Sequence, residues 1–99
     1  MRGPEGKIQD KLRAKLDLIP SSFWFVPTDT NKVGCPDIIG DIKGRAVYIE
    51  VKKDAKTKPR PLQRYRIQRA TERGAISFCT YGWEHCKSIL QEKIHSIDV

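Results

Sequence analysis

Three side chains carry the chemistry open to this chain: the carboxylates of Asp37 and Glu50 and the amine of Lys52. They lie within nineteen residues, Gly34 to Lys52, that read as two short apolar strands joined by a tight turn. In Tyr48-Ile49-Glu50-Val51-Lys52 a strand's period of two puts Ile49 and Val51 on one face and Tyr48, Glu50 and Lys52 on the other. If Lys43-Gly44 is a two-residue turn, Ile42 faces Arg45 and Asp37 falls opposite Glu50. If the loop is instead the four residues Asp41 to Gly44, Asp37 faces Tyr48 with Glu50 one diagonal away. Both registers gather Asp37, Glu50 and Lys52 on one face, whereas a three-residue loop would turn one strand over. Two carboxylates so close raise each other's pKa unless a cation lies between them. A hard divalent ion with oxygen ligands removes that conflict, and Mg²⁺, which keeps several waters, can present one as a nucleophile. An ammonium beside the acids can stabilise the charge that builds up on a phosphate under attack.

Pro36-Asp37, followed after a turn by Glu50-Val51-Lys52, resembles the signature of the PD-(D/E)XK nuclease superfamily. The longer pattern, Gly34-Cys-Pro-Asp-Ile-Ile-Gly40, then Tyr48-Ile-Glu-Val-Lys-Lys53, then Pro61-Leu-Gln63, is similar in particular to the VRR-Nuc family. The likeness runs from Glu5 to about Gly74. It implies a restriction-endonuclease-like α/β core of order α-β-β-β-α-β, with a mixed sheet flanked by helices. It also implies a Mg²⁺-dependent endodeoxyribonuclease, with Mn²⁺ able to substitute. The metal ligands would be Asp37, Glu50 and the Val51 carbonyl, and Gln63 would orient Lys52 or the attacking water. Relatives carry an acid on the first helix that completes the site, so Glu5 is either a third ligand or an ordinary glutamate at a helix's positive end. Stand-alone relatives act on four-way (Holliday) junctions as homodimers, which makes branched DNA and a second copy the expected partners. A general or nicking nuclease, or a basic DNA-binding module without chemistry, are the alternatives.

The elements that must hold these residues can be read along the chain. Gly3-Pro4-Glu5 opens a helix, Ile8, Leu12, Leu16 and Ile19 form its apolar stripe, and Pro20 ends it. Phe23 to Val26 is a short aromatic strand, and Thr28 to Pro36 is a polar loop leading into the site. After the hairpin, Asp54 to Arg60 is a polar connection, and Pro61 fits the first turn of a helix that Gly74 closes after Arg73. Leu62, Tyr65, Arg66 or Ile67, and Ala70 mark its buried side, with Gln63, Arg64 and Arg69 outside. Ala75 to Thr80 is a fourth strand, far enough on for a crossover into a parallel neighbour of the third. A last helix from Glu84 to about Ser96 places Cys86, Leu90, Ile94 and Ile97 at helical spacing.

Ninety-nine residues make a single domain, 1–99, with no room for a separate specificity module. The formal net charge is +7, and Lys52 to Arg73 alone holds nine Lys and Arg against two acids, so this segment accounts for the whole imbalance. A charge run is ordinarily a solvated face, but one that begins at the candidate catalytic lysine points to a surface that follows a phosphate backbone. Lys53, Lys56, Lys58, Arg60 and Arg64 in this run, and Lys32 on the preceding loop, are the candidate DNA contacts. No aromatic residue interleaves the basic ones between Lys52 and Arg64, which favours backbone contact over base stacking. Cys35, Cys79 and Cys86 form no CxxC pair, which fits reduced thiols, Cys79 in the core and Cys86 in a structural role. No apolar run resembles a signal peptide or a membrane span, so an intracellular protein is expected, in the cytoplasm of a bacterium or a phage-infected host. Neither histidine, His85 nor His95, is placed as a general acid. Trp24 and Trp83 are candidates for a dimer surface or for the core.

Overall fold

The computed structural model describes residues 3–27 and 35–94. Its elements run α1 (Pro4–Leu16), β1 (Ser22–Phe25), β2 (Ile38–Ile42), β3 (Arg45–Val51), α2 (Pro61–Glu72), β4 (Ile76–Thr80) and α3 (Trp83–Lys93). The four strands form one mixed sheet in sequence order, antiparallel from β1 to β3, with β4 parallel to β3. This is the expected α/β architecture, a mixed sheet flanked by helices. Lys32 and Gly34, His95 and Ile97 lie outside the described residues.

The register follows from the turn. Lys43 and Gly44 both take positive φ, 53° and 85°, the two-residue geometry whose twist matches that of the strands it joins. Ile42 therefore pairs with Arg45 and Ile38 with Ile49, and one step further along Asp37 falls opposite Glu50. Of the two registers open from sequence, the two-residue turn is the one formed.

Alternation then sorts the strands into two unlike faces. One carries Trp24, Ile38, Ile42, Val47, Ile49, Val51, Ile76 and Phe78, all buried. Leu12 and Leu16 of α1 and Cys86 and Leu90 of α3 join them in a single core cluster. Gly40 is glycine for a steric reason: it pairs with Trp24, and a Cβ there would collide with the Phe23 carbonyl and lie 2.6 Å from the indole ring. Trp24 is thus a core residue, and its indole N–H donates to Ser22 Oγ at 2.9 Å, so its polar edge is satisfied. Trp83 is partly buried against the same core, so neither tryptophan forms the exposed surface considered for a dimer.

Two helices depart from expectation. α1 ends at Leu16, four residues before Pro20, because Leu18 N–H bonds to Lys15 O and Ile19 N–H to Leu16 O, tightening the last turn. That tightening still buries Ile19. α2 contributes no fully buried residue: Leu62 and Tyr65, expected inside, are exposed, while Gln63, Ile67 and Ala70 are half-buried. α2 packs on β4 over the second face of the sheet and leaves much of that face open.

Candidate active site

The open face brings the expected residues together where β2 begins and β3 ends. Asp37 N–H continues the ladder by donating to Ile49 O at 3.0 Å, and its side chain then takes over from the backbone, Oδ2 accepting from Val51 N–H at 2.8 Å. The carboxylate is thereby fixed against the strand that carries Glu50. Lys52 leaves the β2 pairing, but its backbone N–H donates to Thr80 O at 2.8 Å, so β4 holds the base of the lysine.

Gln63 links the rest. It is the third residue of α2, and its Oε1 accepts from Lys52 Nζ at 2.8 Å and from Arg60 N–H at 3.0 Å, while its Nε2 donates to Glu50 Oε1 at 2.9 Å. These three partners fit only one orientation of the amide, since the reverse would set an NH₂ against an ammonium and a backbone donor. Gln63 therefore closes the start of α2, satisfying the N-cap backbone donor, and spaces Glu50 from Lys52 with the same group. It was expected on the outer side of α2; the structure turns it inward, half-buried against the site.

Glu50 is 8% exposed, one of only two buried polar residues among those described. Its pKa is pushed up to about 8, first by burial, then by the negative charge of Asp37 and a hydrogen bond to that carboxylate; Lys52 pulls it down, and Glu5 adds a smaller upward push. An environment that favours the protonated form of Glu50 is one in which a hard cation can take the proton's place. The donor set suits one: two carboxylates at the end of a strand, with the Val51 carbonyl between Glu50 and Lys52. Among the described residues no three His, Cys, Asp or Glu come together as a metal-binding group. Glu5 is exposed at the start of α1, where it contributes to the field at Glu50 and lines a small cleft with Lys53.

The basic residues follow this cluster along the chain. Lys53, Lys56, Lys58, Arg60 and Arg64 are all exposed. The loop that carries the first three is closed by Asp54, whose Oδ1 accepts from Lys56 N–H, Thr57 N–H and Thr57 Oγ1, holding its carboxyl below the usual range.

Sequence reasoning missed Cys79. It was expected in the core, but it pairs with Glu50 across β3 and β4 and is only half-buried, on the face of the acids. Burial pushes its thiol up, and Lys52, Glu50 and Asp37 all act on it. The pairing between β3 and β4 decides its place, and that is not a local signal. Cys86 is buried in the core, its thiol pushed up to about 12, as its structural reading required. His85 sits apart from the acids, with Nδ1 2.9 Å from Thr80 Oγ1 and its ring stacked on Tyr81.

No protein-family model matches the chain, and no curated protein is significantly similar to it. Solved structures do match. A VRR_NUC domain superposes with a TM-score of 0.79 at 23% identity, over 94% of this chain and all of that one. A VRR_NUC domain protein superposes with a TM-score of 0.72, also at 23% identity, over 95% of this chain and 91% of that one. The fold is that of the VRR_NUC domain.

Proposed function

We infer, from a chain with the VRR_NUC fold, that the protein is a metal-dependent DNA endonuclease of the VRR-Nuc family, hydrolysing phosphodiester bonds as one catalytic domain. The observation that carries this reading is the linked cluster of Asp37, Glu50, Lys52 and Gln63 on the open face of the sheet. Asp37, Glu50 and the Val51 carbonyl would hold Mg²⁺ or Mn²⁺, which when bound supplies positive charge to the phosphate and lowers the pKa of water. The protein's own part is positional. The Val51 N–H holds the Asp37 carboxylate, and Gln63 holds Glu50 and the Lys52 ammonium at a fixed separation. Lys52, partly exposed, faces the space where a phosphate oxygen gains charge and stabilises it there. Glu5 shapes the field as an outer acid. Lys53, Lys56, Lys58, Arg60 and Arg64 would follow the DNA backbone, and Lys32 belongs to the same set.

The substrate is branched DNA, with the four-way junction as the leading candidate. One small site cuts one strand, so paired cuts need two copies related by a two-fold axis. The surface for a second copy is the edge strand β1, where Phe23 and Phe25 are exposed with ring centroids 6.0 Å apart. The three free thiols suit a reducing, intracellular location, and no helix among the described residues is long and apolar enough to cross a membrane.

The test is cleavage of a labelled four-way junction and a matched linear duplex in Mg²⁺, with products mapped on each strand. Paired cuts in the junction, abolished in Asp37→Ala without loss of DNA binding, are the expected result. Equal cutting of the linear duplex would make the protein a general or nicking nuclease. Binding without cutting by the unaltered chain would make it a silent basic module.

A further inference from the structure

A groove of about 920 Å³ runs along the open face of the sheet, beside the catalytic cluster and outside it. One wall is α2 with its C-cap, which present Arg66, Arg69 and the C-cap Arg73 at spacings of three and four, along one side over about 10 Å of the helix axis. Among the described residues none of these three guanidiniums makes a hydrogen bond or ion pair, and no acid lines the groove. Tyr48 and Leu62 supply apolar surface, and Pro36, next to Asp37, closes one end. Tyr48 precedes Glu50 by two residues on the same face, a step of about 7 Å along the strand.

A row of unpaired cations over an aromatic surface suits a polyanion whose flat groups are free to stack. A duplex keeps its bases stacked inside and would offer this groove only phosphates, leaving Tyr48 and Leu62 unused. A second copy is disfavoured, because a two-fold contact through this face would set two arginine rows against each other. The exposed lysines of the 53–58 loop do not line this groove, and Lys53 lines a separate cleft with Glu5 at the start of α1. We propose that the groove holds an unpaired stretch of the DNA strand, its phosphates on Arg66, Arg69 and Arg73 and a base on Tyr48. The reacting phosphate then lies where a duplex on the lysine loop gives way to a single-stranded arm. This inference rests on the nuclease reading above and, within branched DNA, favours a branch with an unpaired arm over the fully paired four-way junction.

The test measures binding alone, by fluorescence anisotropy in EDTA, using a labelled oligo-dT, a fork with one unpaired arm and a blunt duplex. The variants are the triple Arg66→Ala/Arg69→Ala/Arg73→Ala and, separately, Tyr48→Leu, with circular dichroism to confirm folding. The triple variant is expected to lose about tenfold or more affinity for oligo-dT and fork, with the log–log salt slope reduced by about 2, and to bind duplex within about twofold. Tyr48→Leu is expected to weaken the single-stranded probes with the salt slope unchanged. Equal losses on duplex and fork would overturn the proposal, as would no loss on either. Loss of a dimer in sedimentation with binding intact would overturn it in favour of a second copy. Because no cleavage is measured, failure of the nuclease reading would show only as absent cutting in Mg²⁺, and failure of the groove only here.

Discussion

The two faces of one sheet are built to opposite rules, although adjacent residues of the same strands supply both. On the α1 and α3 side, Val47, Ile49 and Val51 alternate inward to meet Leu12, Leu16 and Leu90 in a core cluster that contains no charged residue. On the other side, Tyr48, Glu50 and Lys52 meet a helix with no fully buried residue, and the negative charge of Asp37 adds to burial in raising the pKa of Glu50. The closed face supplies the stability that lets the open face hold an arrangement costly in isolation. A buried glutamate beside an aspartate is unfavourable without a cation, so the fold tolerates it only because the hydrophobic side is complete.

The sharpest way to separate the faces is to damage each once. Glu50→Gln keeps the shape of the side chain and removes its charge, so cleavage should fall by on the order of a thousandfold or more, while thermal stability at pH 8 holds or rises. Leu90→Ala, on the closed face, should cost about 2–5 kcal/mol in denaturant unfolding, with the activity of the molecules still folded largely retained. A Glu50→Gln protein that cuts normally, or a Leu90→Ala protein that is fully stable yet inactive, would erase the distinction.

A middle-sized effect belongs to Gln63, which serves both regions. Gln63→Ala should lower the cleavage rate by about 10–100-fold through loss of positioning. It should also reduce stability by about 1 kcal/mol through loss of the helix-start bond. Gln63→Glu sharpens the point: a carboxylate can still accept from Arg60 N–H and Lys52, but it opposes Glu50, so it should restore stability more than rate. Equal rescue of both would mean that the amide acts only as a cap.

The remaining handle is the pH dependence of stability, which involves the open face alone. The pKa of Glu50 is pushed up to about 8 in the folded chain, from an ordinary 4.5, so between those values the folded state holds more protons than the unfolded state. In chelator, melting temperature should therefore fall as pH rises from about 4.5 to 8 and then level off. Mg²⁺ should flatten the decline near pH 8, and Glu50→Gln should remove this contribution. An unchanged slope in Glu50→Gln would show that another group titrates.

How much of this could be read from sequence differs between the two faces. The hairpin and its acids were legible because strand alternation and a Lys-Gly turn are local: once Lys43-Gly44 closes in two residues, Asp37 must face Glu50. Periodicity could not say how deeply a helix packs. Leu62 and Tyr65 were expected inside α2 and are exposed, because α2 covers only the β4 side of the open face. Cys79 was misplaced for a related reason, since the alignment of β4 against β3 is set by a long crossover and not by adjacent residues. The aromatic partner of the basic segment was invisible for the same cause: Tyr48 lies far from Arg66 in sequence and reaches the arginines only through the fold.

The shared amide of Gln63 has a dynamic consequence. Unwinding of the first turn of α2 would release Arg60, Lys52 and Glu50 from one group at once, so fraying there and disassembly of the cluster are a single event. Amide hydrogen exchange at the beginning of that helix would then act as a gauge of how often the cluster comes apart.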